Sequence, residues 1–288
     1  MKKHKIIGFL AESIAATLMA SLGLFVRHIS VEIQIIALAR LGIGLLLLLI
    51  QVVLSKKLHN IKQTKISAPL VLSGVFLALA ILSYIKAIKS TTLINAVFLL
   101  YLAPIIAMVL AAIWLKEQLK LENFLLVVLA FGGFLLILEF QVSWHWRDYS
   151  GYFWGVLAAI SYSLFIIFNR KIDSKISTSI RSLYQLFWGM ITLLPFMLWT
   201  RIDWVYPTDL YWLIGVGFLH GYLALTLMIT AIQLLEVHEY STISYLEPMV
   251  ATLLGVFVYS ETVSFWQAIG CLMILVAGVE QVFLTRNN

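Results

Sequence analysis

Apolar runs the length of a bilayer, parted by joints of a few polar residues, fill this chain from residue 6 to residue 284. A helix needs about 20 largely apolar residues to cross the hydrocarbon. Ten segments qualify: 6–26, 32–54, 68–88, 92–114, 122–140, 150–169, 180–200, 209–232, 239–259 and 264–284. A closed β-barrel would need period-two alternation, and Gly44-Leu45-Leu46-Leu47-Leu48-Leu49-Ile50 has none. The expected fold is an all-α membrane protein with ten transmembrane helices. Composition closes off the soluble alternative. Hydrophobic residues make up 62% of the chain and charged ones 12%, where soluble domains have roughly 45–50% and about 25%.

The formal charge of +6 suggests nucleic acid until its position is considered. The cations lie in short joints and form no basic helix face, so no nucleic-acid partner is expected. With the N-terminus in the cytoplasm, 14 Lys and Arg fall on the cytoplasmic side and 4 outside (Arg27, Lys89, Arg147 and Arg201). That bias predicts an integral inner (cytoplasmic) membrane protein with both termini cytoplasmic. Trp144, Trp146, Trp199 and Trp204 cluster near the two longest outer loops, as interfacial anchors should. Cys271 is alone, so neither a disulfide nor a cysteine metal cluster forms within one chain. No cofactor or metal is expected. The basic start and Ala20-Ser21-Leu22-Gly23 look like a signal peptide and its cleavage site. The first helix nevertheless belongs to the repeat described next, so its retention is expected.

The chain repeats one membrane-embedded phrase. Tyr101-Leu102-Ala103-Pro104 precedes Glu117 by the same interval as Tyr245-Leu246-Glu247-Pro248 precedes Glu261, at an offset of 144 residues. At this offset Ala107 matches Ala251 and Ala87 matches Ala231; at 143, Gly8 falls on Gly151, Ala15 and Ala16 on Ala158 and Ala159, and Arg27 on Arg170. Each half therefore holds five helices: 1–140 the first repeat, 141–149 an outer linker loop, 150–288 the second repeat, together one bundle. Five is odd, so the second half enters from the opposite face. Inverted-topology repeats place a substrate site near the midplane at their interface.

Two five-helix halves, each with a fourth helix ending Pro-x12-Glu, resemble the drug/metabolite transporter superfamily, and within it the EamA-type ten-helix permeases. The resemblance covers the whole chain. Its most specific pieces are Tyr245-Leu246-Glu247-Pro248 through Glu261 and the first-half twin, each followed by a helix with spaced small residues (Gly132, Gly133; Gly270, Ala277, Gly278). It implies a secondary carrier of small metabolites or drugs, often an exporter.

The residues that can carry transport are polar groups within apolar spans. Glu12 lies about 9 Å into the first helix at 1.5 Å per residue. Charge at such depth usually faces the bundle interior or a water-filled cavity, where a carboxyl group can exchange a proton for substrate. The text around it, Leu10-Ala11-Glu12-Ser13-Ile14-Ala15-Ala16-Thr17-Leu18-Met19, resembles the first helix of small multidrug resistance antiporters, in which a glutamate binds proton and cation competitively. A structural carboxylate is the other reading. Arg40 can hold a carboxylate or phosphate with its planar fork, or pair internally with Glu12, Glu247 or a carbonyl. Glu247 precedes Pro248 and has Ala103 for its twin, so it serves either architecture or substrate. Lys86 can snorkel to the interface. His220 sits between Gly217 and Gly221, where it titrates or bonds a neighbouring helix. Tyr84, Tyr101, Trp188 and Tyr245 are candidate cavity rings for aromatic or cationic solutes, within a set that also includes Phe98, Tyr162, Tyr184 and Tyr222. Glu117 and Glu261, at equivalent helix ends, read as structural.

The functional expectation is a secondary active transporter of small organic solutes, proton-linked and exporting amino-acid-like metabolites or aromatic or cationic compounds. Its partners are a small-molecule substrate, the proton and membrane lipid; a monomer suffices, since one chain supplies both halves. An uncoupled facilitator or uptake permease is the alternative. A polytopic membrane enzyme is remote, because Glu236, His238 and Glu239 form the single compact group suited to it, in a loop expected between helices eight and nine, and match no zinc signature.

Overall fold

The structure of the protein is a computed structural model describing residues 3–26, 28–141, 149–197, 207–260 and 262–287. Among the described residues every regular element is helical. Among the described residues eight helices are long and apolar enough to cross a membrane, and a further one, Leu121–Ile137, is apolar but shorter. The expected seventh segment, 180–200, coincides with a helix as far as Met197. Arg27, Glu261 and the tryptophans assigned to the outer loops (Trp144, Trp146, Trp199, Trp204) lie outside the described residues.

The first half runs α1 (Lys3–Ala20), α2 (Leu22–Val26), α3 (Ile33–Leu54), α4 (Leu58–Gln63), α5 (Ala68–Ser90), α6 (Leu93–Leu100), α7 (Ala103–Leu110), a π segment (Ala111–Leu115) and α8 (Leu121–Ile137). The second runs α9 (Tyr149–Lys171), α10 (Thr178–Met197), α11 (Pro207–Val216), a π segment (Gly217–Ala224), α12 (Leu225–Leu234), α13 (Val237–Ser244), α14 (Leu246–Tyr259) and α15 (Phe265–Asn287). α5 and α12 end, and α6 and α13 begin and end, at positions that the sequence offset of 144 superimposes. Lys116 and Ser260, a matched pair at that offset, both take the left-handed conformation at φ 55°.

Pro104 and Pro248 explain why the fourth and ninth expected spans are each broken in the middle. A proline supplies no N–H to the carbonyl four residues back and crowds it. α6 accordingly stops at Leu100 and α13 at Ser244, and α7 and α14 resume around the proline. Neighbouring helices bond to carbonyls in the first turn of α7, just past the first break: Ser163 Oγ donates to Ala103 O (2.9 Å) and Ser241 Oγ to Pro104 O (3.0 Å). These bonds hold α9 and α13 against the break, where irregular backbone at membrane depth has to be packed in protein.

The buried apolar residues form two main clusters. One unites α1, α3, α5, α9, α10 and α12 around Ala15, Leu41, Ala78, Phe165, Leu186 and Ile229. The other unites α7, α8, α14 and α15 around Met108, Phe134, Met249 and Ile274. Leu246, beside the second break, packs against both.

Candidate functional site

The polar groups buried in the spans converge where those two clusters meet. Glu12 comes from the middle of α1 and is 3% exposed. Glu247, in the first turn of α14, faces it electrostatically, and Arg40 of α3 faces Glu247 in turn. Tyr84 of α5 and Tyr101, at the break between α6 and α7, face the same Glu247 carboxylate. Tyr162 of α9 and Tyr240 of α13 complete the group on the Glu12 side, with hydroxyls 3.0 Å apart. Four tyrosines thus surround two carboxyl groups and one guanidinium, the seven side chains coming from six helices and the break between α6 and α7.

Their ties differ. The Glu12 Oε2 atom is buried with no hydrogen-bond partner among the described residues. Arg40 Nη2 points at the Met19 sulfur, 3.1 Å away, a weak acceptor for a guanidinium. Tyr162 Oη also reaches the Met228 sulfur at 3.3 Å. Glu247, Arg40, Tyr84, Tyr101 and Tyr162 retain some accessible surface although they face one another across the bundle. Groups in that state can exchange their internal contacts for those of a guest.

The remaining sequence candidates fall elsewhere. Tyr245 is completely buried, and its hydroxyl donates to the Tyr101 carbonyl at 2.9 Å while its ring packs on Phe131 and Phe134. His220 is completely buried, with Nε2 3.1 Å from Ser21 Oγ. Trp188 is half-buried against the Phe187 ring, with an indole N–H that has no partner among the described residues. Lys86 is exposed and lies over the Trp154 ring at 4.2 Å.

Tyr240 was missed by sequence reasoning, which placed the start of the ninth span at residue 239 and took Glu236, His238 and Glu239 as a loop. The structure corrects this. Those residues cap and open α13, in which all eight residues are buried. The signal was present in the text Val237-His238-Glu239-Tyr240-Ser241-Thr242-Ile243-Ser244, a polar stretch that a lipid-facing helix would not carry.

The capping residues also tie one end of the bundle together. Lys5 Nζ donates to Glu239 Oε1 at 2.6 Å and to Glu236 at 3.5 Å. Glu117 accepts from Arg170 Nη2 at 3.0 Å and from the Val237 N–H at 2.8 Å. Glu117, Glu236 and His238 could supply ligand atoms within 4.8 Å of one another, but their carboxylates already engage Arg170 and Lys5. This reads as an ion-pair cluster.

The model of the EamA-like transporter family matches residues 6–139 and again residues 149–279. The chain belongs to the EamA-like transporter family. An uncharacterized transporter of Archaeoglobus fulgidus is 28% identical to this EamA-like chain over 268 residues, 92% of each protein. The uncharacterized transporter YxxF of Bacillus subtilis is 24% identical over 217 residues, 75% of this chain and 69% of that one. A protein of known crystal structure superimposes with a TM-score of 0.85 over 98% of both chains at 18% identity, a likeness of fold alone. Membership of the EamA-like family makes this an integral membrane protein and points to a transporter.

Proposed function

We propose that this EamA-like protein is a proton-linked secondary carrier that exports small organic solutes of the amino-acid-like, aromatic or cationic kind. The observation that carries the reading is the charge balance at the centre of the bundle. Glu12 and Glu247 face each other, and Glu247 is the carboxylate that Arg40 faces, so two ionised carboxylates would leave one negative charge uncompensated at low dielectric. A proton or a cationic solute can each cancel it, and charge in such surroundings is strongly held to compensation. Competition between the two for Glu12 is the minimum requirement for coupled antiport. Arg40 suits a substrate carboxylate, and Tyr84, Tyr101, Tyr162 and Tyr240 offer rings and hydroxyls around it.

Ten spanning helices in two inverted halves belong to this proposal. The 144-residue offset, the two successive family matches and the matched helix breaks support it. Discontinuous helices at corresponding places in two halves are where transporters of that design bind substrate. The excess of Lys and Arg in alternate joints supports an inner-membrane location with both termini in the cytoplasm, and a single chain supplying both halves supports a monomer.

The test is proton movement by the purified protein in liposomes, challenged with aromatic amino acids, other amino acids and organic cations. Proton flux driven by one class and abolished by Glu12→Gln is the expected result. Solute equilibration without proton flux, unchanged by Glu12→Gln, would replace the coupled carrier with an uncoupled permease.

A further inference from the structure

Arg40 is held by an arrangement of backbone that its own side-chain contacts do not reveal. Within α3 the Gly44 N–H lies over the Arg40 carbonyl, as the helical repeat requires. Gly221, from the π segment of the adjoining span, sits directly on that turn. A Cβ built on Gly221 would fall on the Arg40 carbonyl oxygen, far inside any real contact, and also close to the Arg40 carbonyl carbon at 2.9 Å. The fit is reciprocal, since a Cβ on Gly44 would meet the Gly221 carbonyl carbon and oxygen at 2.7 Å. One turn away, Gly217 is pressed in the same manner onto the Ile43 side chain. The two elements therefore cross backbone on backbone, with no side chain between them at this point.

The crossing has a third member. Met19, whose sulfur accepts from Arg40 Nη2, lies just before the interruption between α1 and α2. Ser21, at that interruption, bonds the Leu18 carbonyl at 2.6 Å and lies 3.1 Å from Nε2 of His220, the residue next to Gly221. The end of α1 is thus tied both to the guanidinium of Arg40 and to the π segment beneath its carbonyl. π segments occur often at functional sites, where they turn residues out of the regular helical register. Here the π segment places a glycine where the α3 backbone approaches.

We propose that Gly221 is a positioning residue for Arg40: its missing side chain sets the depth of α3 at the α1–α3–π junction and so fixes where the guanidinium stands opposite Glu247. The inference rests on the reading above only in giving Arg40 a part in substrate binding; the placement itself is independent of transport. A methyl at residue 221 has to displace the Arg40 backbone, and displacement by about 1 Å at a binding group is enough for effects of about 100-fold.

Thiol labelling in detergent tests this without a substrate. In a Cys271→Ala background, the cysteine introduced by Arg40→Cys is reacted with a small cationic methanethiosulfonate, and Gly221→Ala is then added. The labelling rate at position 40 should change about tenfold or more, within the roughly 100-fold that a displacement of about 1 Å can bring, while the rate at a thiol introduced by Tyr84→Cys stays the same. Gly44→Ala, a milder collision in the same joint, should shift position 40 in the same direction and carries the test should Gly221→Ala not fold. Gly133→Ala supplies the control, because its Cβ would meet Gly270 O at 2.6 Å in the α8–α15 crossing, away from Arg40. It should lower thermal stability and leave both rates unchanged. Equal shifts at positions 40 and 84, equal shifts from Gly133→Ala, or no shift in a folded Gly221→Ala or Gly44→Ala protein would each overturn the proposal. Transport left unchanged by Gly221→Ala in the liposome assay, with position 40 shifted as expected, would instead fall on the functional reading.

Discussion

Tyr101 and Tyr245 occupy the same place in the repeated motif, yet they work differently. Tyr101 turns its hydroxyl toward Glu247 and keeps some exposure, whereas Tyr245 is sealed in an aromatic cluster and donates to the backbone of its own twin. Sequence symmetry made both candidates for a cavity; it could not say which one would be turned inward, because that depends on asymmetric neighbours. Glu247 stands where the first half has Ala103, and Phe131 and Phe134 pack on the Tyr245 ring. Tyr245→Phe should therefore leave substrate handling alone and act on stability. It leaves the Tyr101 carbonyl without this donor, a loss of about 1–3 kcal/mol for a buried group, visible as a lower melting temperature in detergent. The charged members of the site were legible from sequence, since Glu12, Arg40 and Glu247 are costly in an apolar span wherever they sit. Tyr240 was not, because a tyrosine near a span's end looks like any interfacial aromatic until the helix start is known.

Among the elements, one tie between the two halves is made by an end and a beginning. Glu117, just beyond the π segment that closes the fourth span, accepts both from the Arg170 guanidinium at the end of α9 and from the N–H of Val237, the first residue of α13. A helix N-terminus with free N–H groups favours such an anion. Arg170 also reaches the carbonyls of Ile232 and Gln233 at the end of α12, at 3.4 and 3.3 Å. One carboxylate and one guanidinium therefore fasten α9, α12 and α13 to the first half. Charge-assisted bonds of this kind are worth about 1.5–3 kcal/mol each. Glu117→Gln and Arg170→Met should each lower stability by about that amount, and the double variant should cost much less than the sum, since both remove one interaction. Additive losses in a thermal-shift series would mean that the two residues act separately. Sequence predicted a structural role for Glu117 from its symmetric place. The partner was invisible, because it lies 53 residues away and no local spacing encodes it. Element boundaries were legible to within a few residues, but the π segments were not, since apolar periodicity does not distinguish a π turn from an α turn.

At the scale of the molecule, the question is whether the duplication is also an inversion. Two halves of an even number of helices would repeat with the same sidedness; two halves of five must oppose each other. Lys116 and Ser260 make the cleanest pair for deciding it. They are separated by the repeat offset, share the left-handed conformation at φ 55°, and are both exposed in the joint before the last helix of their half. In the inverted arrangement with a cytoplasmic N-terminus, position 116 follows the fourth crossing and faces the cytoplasm, while position 260 follows the ninth and faces out. The charges agree, for Lys116 and Lys120 lie in the first joint, and the second carries no Lys or Arg between Ser260 and Phe265. A thiol introduced by Ser260→Cys in a Cys271→Ala background should then react with a membrane-impermeant maleimide in intact cells. One introduced by Lys116→Cys should react only after permeabilisation. Labelling of both from one side would require an even number of crossings between them, and the five-helix half, the inversion and the shared midplane site would fail together. The opposite pattern, Lys116→Cys labelled outside and Ser260→Cys inside, would keep the inversion and reverse the orientation. Because the residue pair is matched in backbone conformation and in place within the repeat, a difference in reactivity between them reports the side of the membrane.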